Sequence, residues 1–301
     1  MQSVLSDLRA AQVGELLPNE PLAPYTTWKI GGPADLLVIP EGKAELVETI
    51  RILHRHGVPF LPIGRGSNML VSDKGVRGVV VKLGAGLCDL RFEGNLAIVG
   101  GGYSLITLSV RAGKAGLTGL EFAGGIPGTV GGAVYMNAGA HGSDMSHILR
   151  EAEIVLETGE MVRLGREDLQ FAYRHSVLHA LPGIVTEAVL ELAVGDRKEM
   201  AATLASNRER RLRTQPLSLP CAGSTFRNPD HTFAAKLIEE AGLKGRRVGG
   251  AEVSTLHANF IINTGDATAD DVMRLMDVMQ TAVYERTGIS LVPEVLMVGE
   301  K

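Results

Sequence analysis

The chain has 301 residues, 45% of them hydrophobic and 21% charged, with a formal net charge of −4, so it offers no electrostatic grip for nucleic acid or an anionic membrane. Its two cysteines, Cys88 and Cys221, stand far apart and in no C-x-x-C spacing, which excludes a disulfide framework or structural zinc and points to the reducing cytoplasm. No apolar run approaches the ~18 residues of a membrane span, and the opening MQSVLSDLRAAQVGE lacks the basic-then-apolar pattern of an export signal.

Residues 4–17 carry Val4, Leu5, Leu8, Val13, Leu16 and Leu17 at helical spacing, so a first helix is predicted there. A loop, Pro24 to Ala34, closes on a strand at 35–40. An amphipathic helix over 45–56 and a buried strand over 58–63 complete a β-α-β passage. Short strands follow at 78–83, 90–93 and 96–100, with a helix at 105–115 behind them. Further strands are predicted at 151–156, 161–164 and 184–192, and a helix at 198–212. That helix carries Arg208, Arg210, Arg211 and Arg213, either as a solvated face or as a face for an anion. Helices at 233–241 and 270–287 flank a strand at 256–263. Residues 195–198 are the best candidate for a linker, and no internal repeat is visible.

Two stretches break this alternation. In residues 119–142, GLEFAGGIPGTVGGAVYMNAGAHG, the density of glycine argues against a stable helix, since each interior glycine costs roughly 1 kcal/mol relative to alanine. Interleaved Phe122, Ile126, Val130, Val134 and Met136 argue equally against low-complexity filler. Upstream, Gly64-Arg65-Gly66-Ser67-Asn68-Met69 lies in a strand-loop-strand setting. Neither the P-loop pattern nor a dinucleotide fingerprint is met there. Glycine lets backbone N–H groups come close to a bulky anion with no Cβ in the way. Two such loops, each flanked by apolar strands, suit a long cofactor with a pyrophosphate and a flat ring.

Six segments in unbroken order carry a resemblance. They are Tyr25-Thr26-Thr27-Trp28-Lys29-Ile30-Gly31-Gly32, Gly64 to Asn68, the central glycine stretch with its G-I-P-G-T-V-G-G-A-V-Y-M-N-A-G, Tyr173-Arg174-His175-Ser176, Cys221-Ala222-Gly223-Ser224-Thr225-Phe226-Arg227-Asn228-Pro229, and Pro293-Glu294-Val295. Together they closely resemble the UDP-N-acetylenolpyruvoylglucosamine reductase family, over about residues 20 to 300. The resemblance implies an α+β flavoprotein with an FAD-binding fold of the vanillyl-alcohol-oxidase type in two subdomains, residues 1–83 with 288–301 and residues 84–197. A C-terminal α+β substrate domain spans 198–287. It implies bound FAD, NADPH as co-substrate, a nucleotide-sugar substrate, no metal, and a monomer that works in the cytoplasm. The absence of room for the tyrosine-bearing loop of longer members places the chain in the shorter subclass.

Residue by residue, the resemblance assigns the cofactor cradle to Gly64, Arg65, Gly66, Ser67, Asn68 and Met69 together with Gly124, Gly125, Ile126, Pro127, Gly128, Thr129, Gly131 and Gly132. Asn137 becomes a polar contact near the cofactor. Ser224 matches the proton donor, and Arg174 the arginine that pairs with the substrate carboxylate through two parallel N–H bonds. Glu294 is the third catalytic candidate, either protonated when negative charge forms on the substrate or ionised and orienting Arg174 or Ser224. Tyr173, Arg227, Asn228 and, more weakly, His257 are candidates for substrate contact. Two rivals stand beside this reading: a flavin oxidase of the same fold, and a nucleotide-sugar-binding protein without catalysis.

Overall fold

The computed structural model describes residues 1–300. The chain divides into two compact units. One holds Met1–Pro18, Leu36–Gly64 and Gly78–Glu209; the other holds Asn19–Asp35, Arg65–Arg77 and the chain from Arg210 on.

The first unit is built on a five-stranded antiparallel sheet in the order Met161–Gly165, Leu149–Leu156, Gly183–Glu191, Leu96–Gly100, Leu90–Glu93. Side chains alternate faces along a strand. Ile154 accordingly joins one core and Val155 another. On one face pack helices α3 (Leu105–Ala115) and α4 (Val130–Tyr135) through Leu105, Leu108, Ala112, Val130 and Val134. The other face shares a core with helices α1 (Gln2–Ala10) and α2 (Lys43–Arg55) and with a second sheet. In that sheet Phe60–Ile63 runs parallel to Val76–Lys82, which lies between it and Pro33–Ile39, the strand that opens the β-α-β passage.

Helix α3 has the predicted bounds because both ends are capped. The Ser104 hydroxyl accepts from the Thr107 amide at 3.4 Å, and Gly116 ends the helix in the left-handed region at φ 84°. The first helix is shorter than predicted. Gln12 and Gly14 both adopt positive φ, and a Cβ on Gly14 would meet the Ile39 carbonyl at 2.3 Å. Leu16 and Leu17 therefore belong to a strand, Glu15–Pro21. Residues 195–198 are an ordered cap: the Asp196 carboxylate accepts from the amides of Lys198 and Glu199, opening helix α5 (Arg197–Thr214).

The second unit packs helices α6 (Ala234–Glu240) and α7 (Ala269–Thr287) against a three-stranded antiparallel sheet of Arg247–Val248, Ala251–Val253 and Ile261–Asn263. The strand predicted over 256–263 begins only at Ile261. Before it, the chain turns, with the Ser254 hydroxyl accepting from the amides of Leu256 and His257. Trp28 is buried in this core and its indole N–H donates to the Ile261 carbonyl at 2.8 Å. Burying a side chain of that size contributes roughly 3 kcal/mol. Met69–Val71 pairs in parallel with Leu296–Val298, tying the segment after the first glycine loop to the carboxyl-terminal strand.

Candidate active site

In the first unit the central glycine stretch forms a 3-10 turn, Glu121–Gly125, followed by α4. The expectation that glycine forbids a helix here fails for these six residues. The Thr129 hydroxyl accepts from the Gly132 amide at 3.3 Å, and Val130, Ala133 and Val134 are buried, so a cap and packing offset the propensity cost. Glycine at 131 eases a close approach: its amide donates to the Gly101 carbonyl at 2.8 Å, and an added Cβ would lie 3.1 Å from that oxygen. A Cβ on Gly64 would meet the Thr129 hydroxyl at 2.7 Å, so the end of the upstream loop abuts the central stretch. One on Gly124 would meet Leu204 of α5 at 2.5 Å.

Segment 172–176 is sewn onto this stretch. Ala172 and His175 exchange both backbone hydrogen bonds at 3.1 Å, making a two-residue hairpin with Tyr173 and Arg174 at its tip. Arg174 takes a left-handed φ of 54°, an uncommon conformation for a side chain of that size. Its guanidinium donates to the Gly139 carbonyl at 3.0 Å and lies 5.0 Å from the centre of the exposed Tyr173 ring. The buried Ser176 hydroxyl donates to the Tyr135 carbonyl at 2.7 Å. Asn137 is buried, accepting from the Ser146 amide at 3.0 Å and donating to the Ala172 carbonyl at 3.1 Å. Its side chain joins three segments of this unit, which is a structural task where the resemblance suggested a cofactor contact.

The second unit carries the other candidates. Gly66 adopts φ 56° and a Cβ there would sit 2.6 Å from the Tyr25 carbonyl. Asn68 donates from its side chain to the Glu294 carbonyl at 3.2 Å and accepts at its own carbonyl from the Leu296 amide at 3.0 Å. Met69 is buried in the parallel pair with Leu296. The Glu294 amide in turn donates to the Thr225 carbonyl at 2.8 Å, and the Arg227 amide to the Val292 carbonyl at 2.9 Å. One short ladder thus brings Asn68, Glu294 and the Ser224 loop together. Ser224 itself is half-buried, and its hydroxyl makes no hydrogen bond among the described residues.

The outer candidates separate. Arg227 has a buried Nε with no acceptor among the described residues, as a guanidinium awaiting an anion would. Asn228 accepts from the Ala234 amide at 3.1 Å and so caps α6. His257 accepts through Nδ1 from the Asn259 amide at 3.3 Å and stacks edge-on against Phe260; burial pushes its imidazole below the ordinary value. The structure gives these two residues local structural tasks. One residue the sequence singled out only as part of a basic run stands apart from that run. Arg211 bonds Gln215 through Nε at 2.8 Å, while its Nη1 is buried without an acceptor among the described residues, and burial lowers its pKa.

The amides of Gly128 and Thr129 in the first unit, and of Arg65 and Gly66 in the second, meet no acceptor among the described residues. Glycine-lined backbone with free donors fits a pyrophosphate-bearing cofactor. The comparisons with known proteins agree. A family model for an FAD binding domain matches residues 34–165, and one for the UDP-N-acetylenolpyruvoylglucosamine reductase C-terminal domain matches residues 215–298. The UDP-N-acetylenolpyruvoylglucosamine reductase of Bacillus licheniformis is 51% identical over 100% of both chains, and that of Bacillus subtilis is 50% identical over 99% of both. The crystal structure of the Thermus caldophilus UDP-N-acetylenolpyruvylglucosamine reductase superposes with a TM-score of 0.81 at 37% identity, covering 94% of this chain and 98% of the other. A berberine bridge enzyme, at 16% identity and a TM-score of 0.51 over 65% of this chain and 44% of its own, shares the fold alone. The chain belongs to the UDP-N-acetylenolpyruvoylglucosamine reductase family.

Proposed function

We propose, from the full-length likeness and the glycine-lined backbone, the following account of what the chain does. It is a flavin-dependent oxidoreductase that reduces UDP-N-acetylglucosamine enolpyruvate to UDP-N-acetylmuramate with NADPH, in peptidoglycan precursor synthesis. FAD, when bound, relays the hydride between NADPH and the enolpyruvyl carbon. Residues 1–83 with 288–301, and residues 84–197, serve FAD; residues 198–287 serve the substrate. Gly64 to Met69 and Gly124 to Gly132 supply backbone donors to the cofactor. The protein acts as a monomer in the cytoplasm. Among the described residues no helix is long and apolar enough to cross a membrane.

The observation that carries the chemical roles is the unpartnered Ser224 hydroxyl in a loop bonded through its backbone to Glu294. As the double bond is reduced, negative charge gathers on C2 of the enolpyruvyl group and its carboxylate. A serine hydroxyl is a poor acid in water, and it serves here because C2 is then far more basic and the loop holds the hydroxyl in place. Ser224 therefore donates the proton to C2. Glu294, adjoining it in the same ladder through its backbone, is the third catalytic residue. Arg174 pairs with the substrate carboxylate and strengthens its hold as charge develops. Arg227, and with it Arg211, offers an unsatisfied guanidinium N–H to an anionic part of the nucleotide sugar.

The direct test is one absorbance experiment. Purified protein is expected to be yellow, to bleach on NADPH under nitrogen, and to regain colour on adding the enolpyruvyl nucleotide. Colourless protein would sink the reading, and so would colour restored only by oxygen. NADPH and nucleotide sugar acting in turn predicts parallel lines in double-reciprocal plots.

A further inference from the structure

Ser224 lies between two anchored points of the chain. Upstream, Cys221 forms a backbone bridge with Ile262. Gly223 then takes φ 78°, with open space where a Cβ would stand. Downstream, Thr225 is held through its backbone by Asn259 and Glu294, and Phe226 is held at both its amide and its carbonyl by one side chain. Asn259, 2% exposed, accepts at Oδ1 from the Phe226 amide at 3.0 Å and donates from Nδ2 to the Phe226 carbonyl at 2.8 Å, while its own carbonyl accepts from the Thr225 amide at 2.8 Å. The planar amide thus stands in for a strand partner, presenting an acceptor and a donor to one residue as a neighbouring backbone would. Thr225 Oγ1 is buried with no partner among the described residues, so it adds no anchor of its own. The Thr225 carbonyl accepts from the Glu294 amide, so the residue beside the clamped Phe226 is the one bonded to Glu294.

We infer that Asn259 is a positioning residue for proton delivery: its buried side-chain amide fixes Phe226, two residues after Ser224, and thereby the place of the donor hydroxyl. The inference rests on the reading of Ser224 as the proton donor. Asn259 reaches no reacting atom in this scheme; it acts through the loop. An amide is required because no other side chain of that length offers both an acceptor and a donor in one plane. Aspartate keeps the shape and loses the donor; alanine loses both and orphans the Phe226 backbone.

The test compares Asn259→Asp with wild type in rapid mixing, with Ser224→Ala run alongside. NADPH-driven bleaching is expected to stay within about twofold. Recolouring by the enolpyruvyl nucleotide is expected to slow by about a hundredfold, the size of effect that a displacement near 1 Å produces, and to become more sensitive to deuterated solvent. A structural residue would not separate the two half-reactions. Equal slowing of both halves overturns the inference, as does normal recolouring in a variant whose Tm has dropped. If Asn259→Asp does not fold, Asn259→Gln, which keeps both groups on a longer arm, is judged by the same separation. Should Ser224→Ala fail to separate the halves, the donor assignment itself falls; if it does separate them and the Asn259 variants do not, only the inference falls.

Discussion

The two compact units solve the same problem by opposite means. In the first, glycine lets backbone pair with backbone: Gly131 donates to Gly101, and Gly101 donates to Thr186 at 2.8 Å, with a tight fit for a Cβ on Gly131 and no room for one on Gly101. In the second, asparagine side chains imitate backbone. Asn259 clamps Phe226, and Asn263 donates to the Trp28 carbonyl at 3.0 Å while accepting from the amides of Gly265 and Ala267. The first device shapes a surface on which donors stay free. The second fixes the chain just beyond a catalytic candidate, Ser224. The first should be intolerant of added bulk, and the second of lost polarity.

The largest effect expected is functional. Ser224→Ala should slow recolouring by the enolpyruvyl nucleotide about 10²- to 10⁴-fold, the range for a lost general acid, and leave bleaching by NADPH nearly intact. Rapid mixing that finds both halves slowed alike would remove the second unit's claim to the chemistry. Gly101→Ala comes next, with an added Cβ 1.9 Å from the Val185 carbonyl. A loss of about 3 kcal/mol in denaturant unfolding is expected. Gly142→Ala, where φ is 84° but nothing stands within 4 Å, should cost only about 1 kcal/mol of backbone strain. Equal losses at the two sites would refute close approach as the reason for glycine.

Asn263→Ala tests the second device directly and should cost about 2 kcal/mol, because the buried Trp28 carbonyl and the half-buried Ala267 amide would be left unpaired. Asn263→Asp should recover part of that loss through the two amides it still accepts. The smallest effect is a pH dependence. Burial, followed by the charge of Lys244, depresses the His257 imidazole below its ordinary value. A depressed pKa means that the unfolded chain binds the proton more readily. The contribution is therefore whole above about pH 6.5 and is lost as pH falls from there through the folded value. Urea midpoints at pH 7.5 and 5.5 should converge in His257→Gln; an unchanged gap would show that the slope belongs to other groups.

Local chemistry made much of the fold legible. Ser104 and Gly116 bracket α3 in the sequence as they do in space, and the acidic, capped start of α7 is written in Thr268 to Asp271, whose side chains bond each other's amides. Apolar spacing extends the first helix through Gly14 to Leu17, while the Ile39 carbonyl that crowds Gly14 comes from a distant part of the chain. The six-residue α4 was missed because propensity weighs glycines and does not see the buried face beneath them. Of the candidate site, Ser224, Glu294 and Asn68 share a ladder that no spacing rule contains, since its hydrogen bonds span residues far apart in the chain.

By itself, the sequence determined which chemistry was on offer: glycine where backbone must approach, a serine and a glutamate in recognisable motifs, and the family those motifs belong to. Only the tertiary structure decided which polar side chains are free to meet a ligand and which already serve the chain. Asn137, Asn228 and His257 are engaged with their neighbours, whereas Arg211 and Arg227 keep buried N–H groups without acceptors among the described residues. A side chain's type fixes the hydrogen bonds it can make. Whether they are spent inside the protein depends on what folding brings within 3 Å of them.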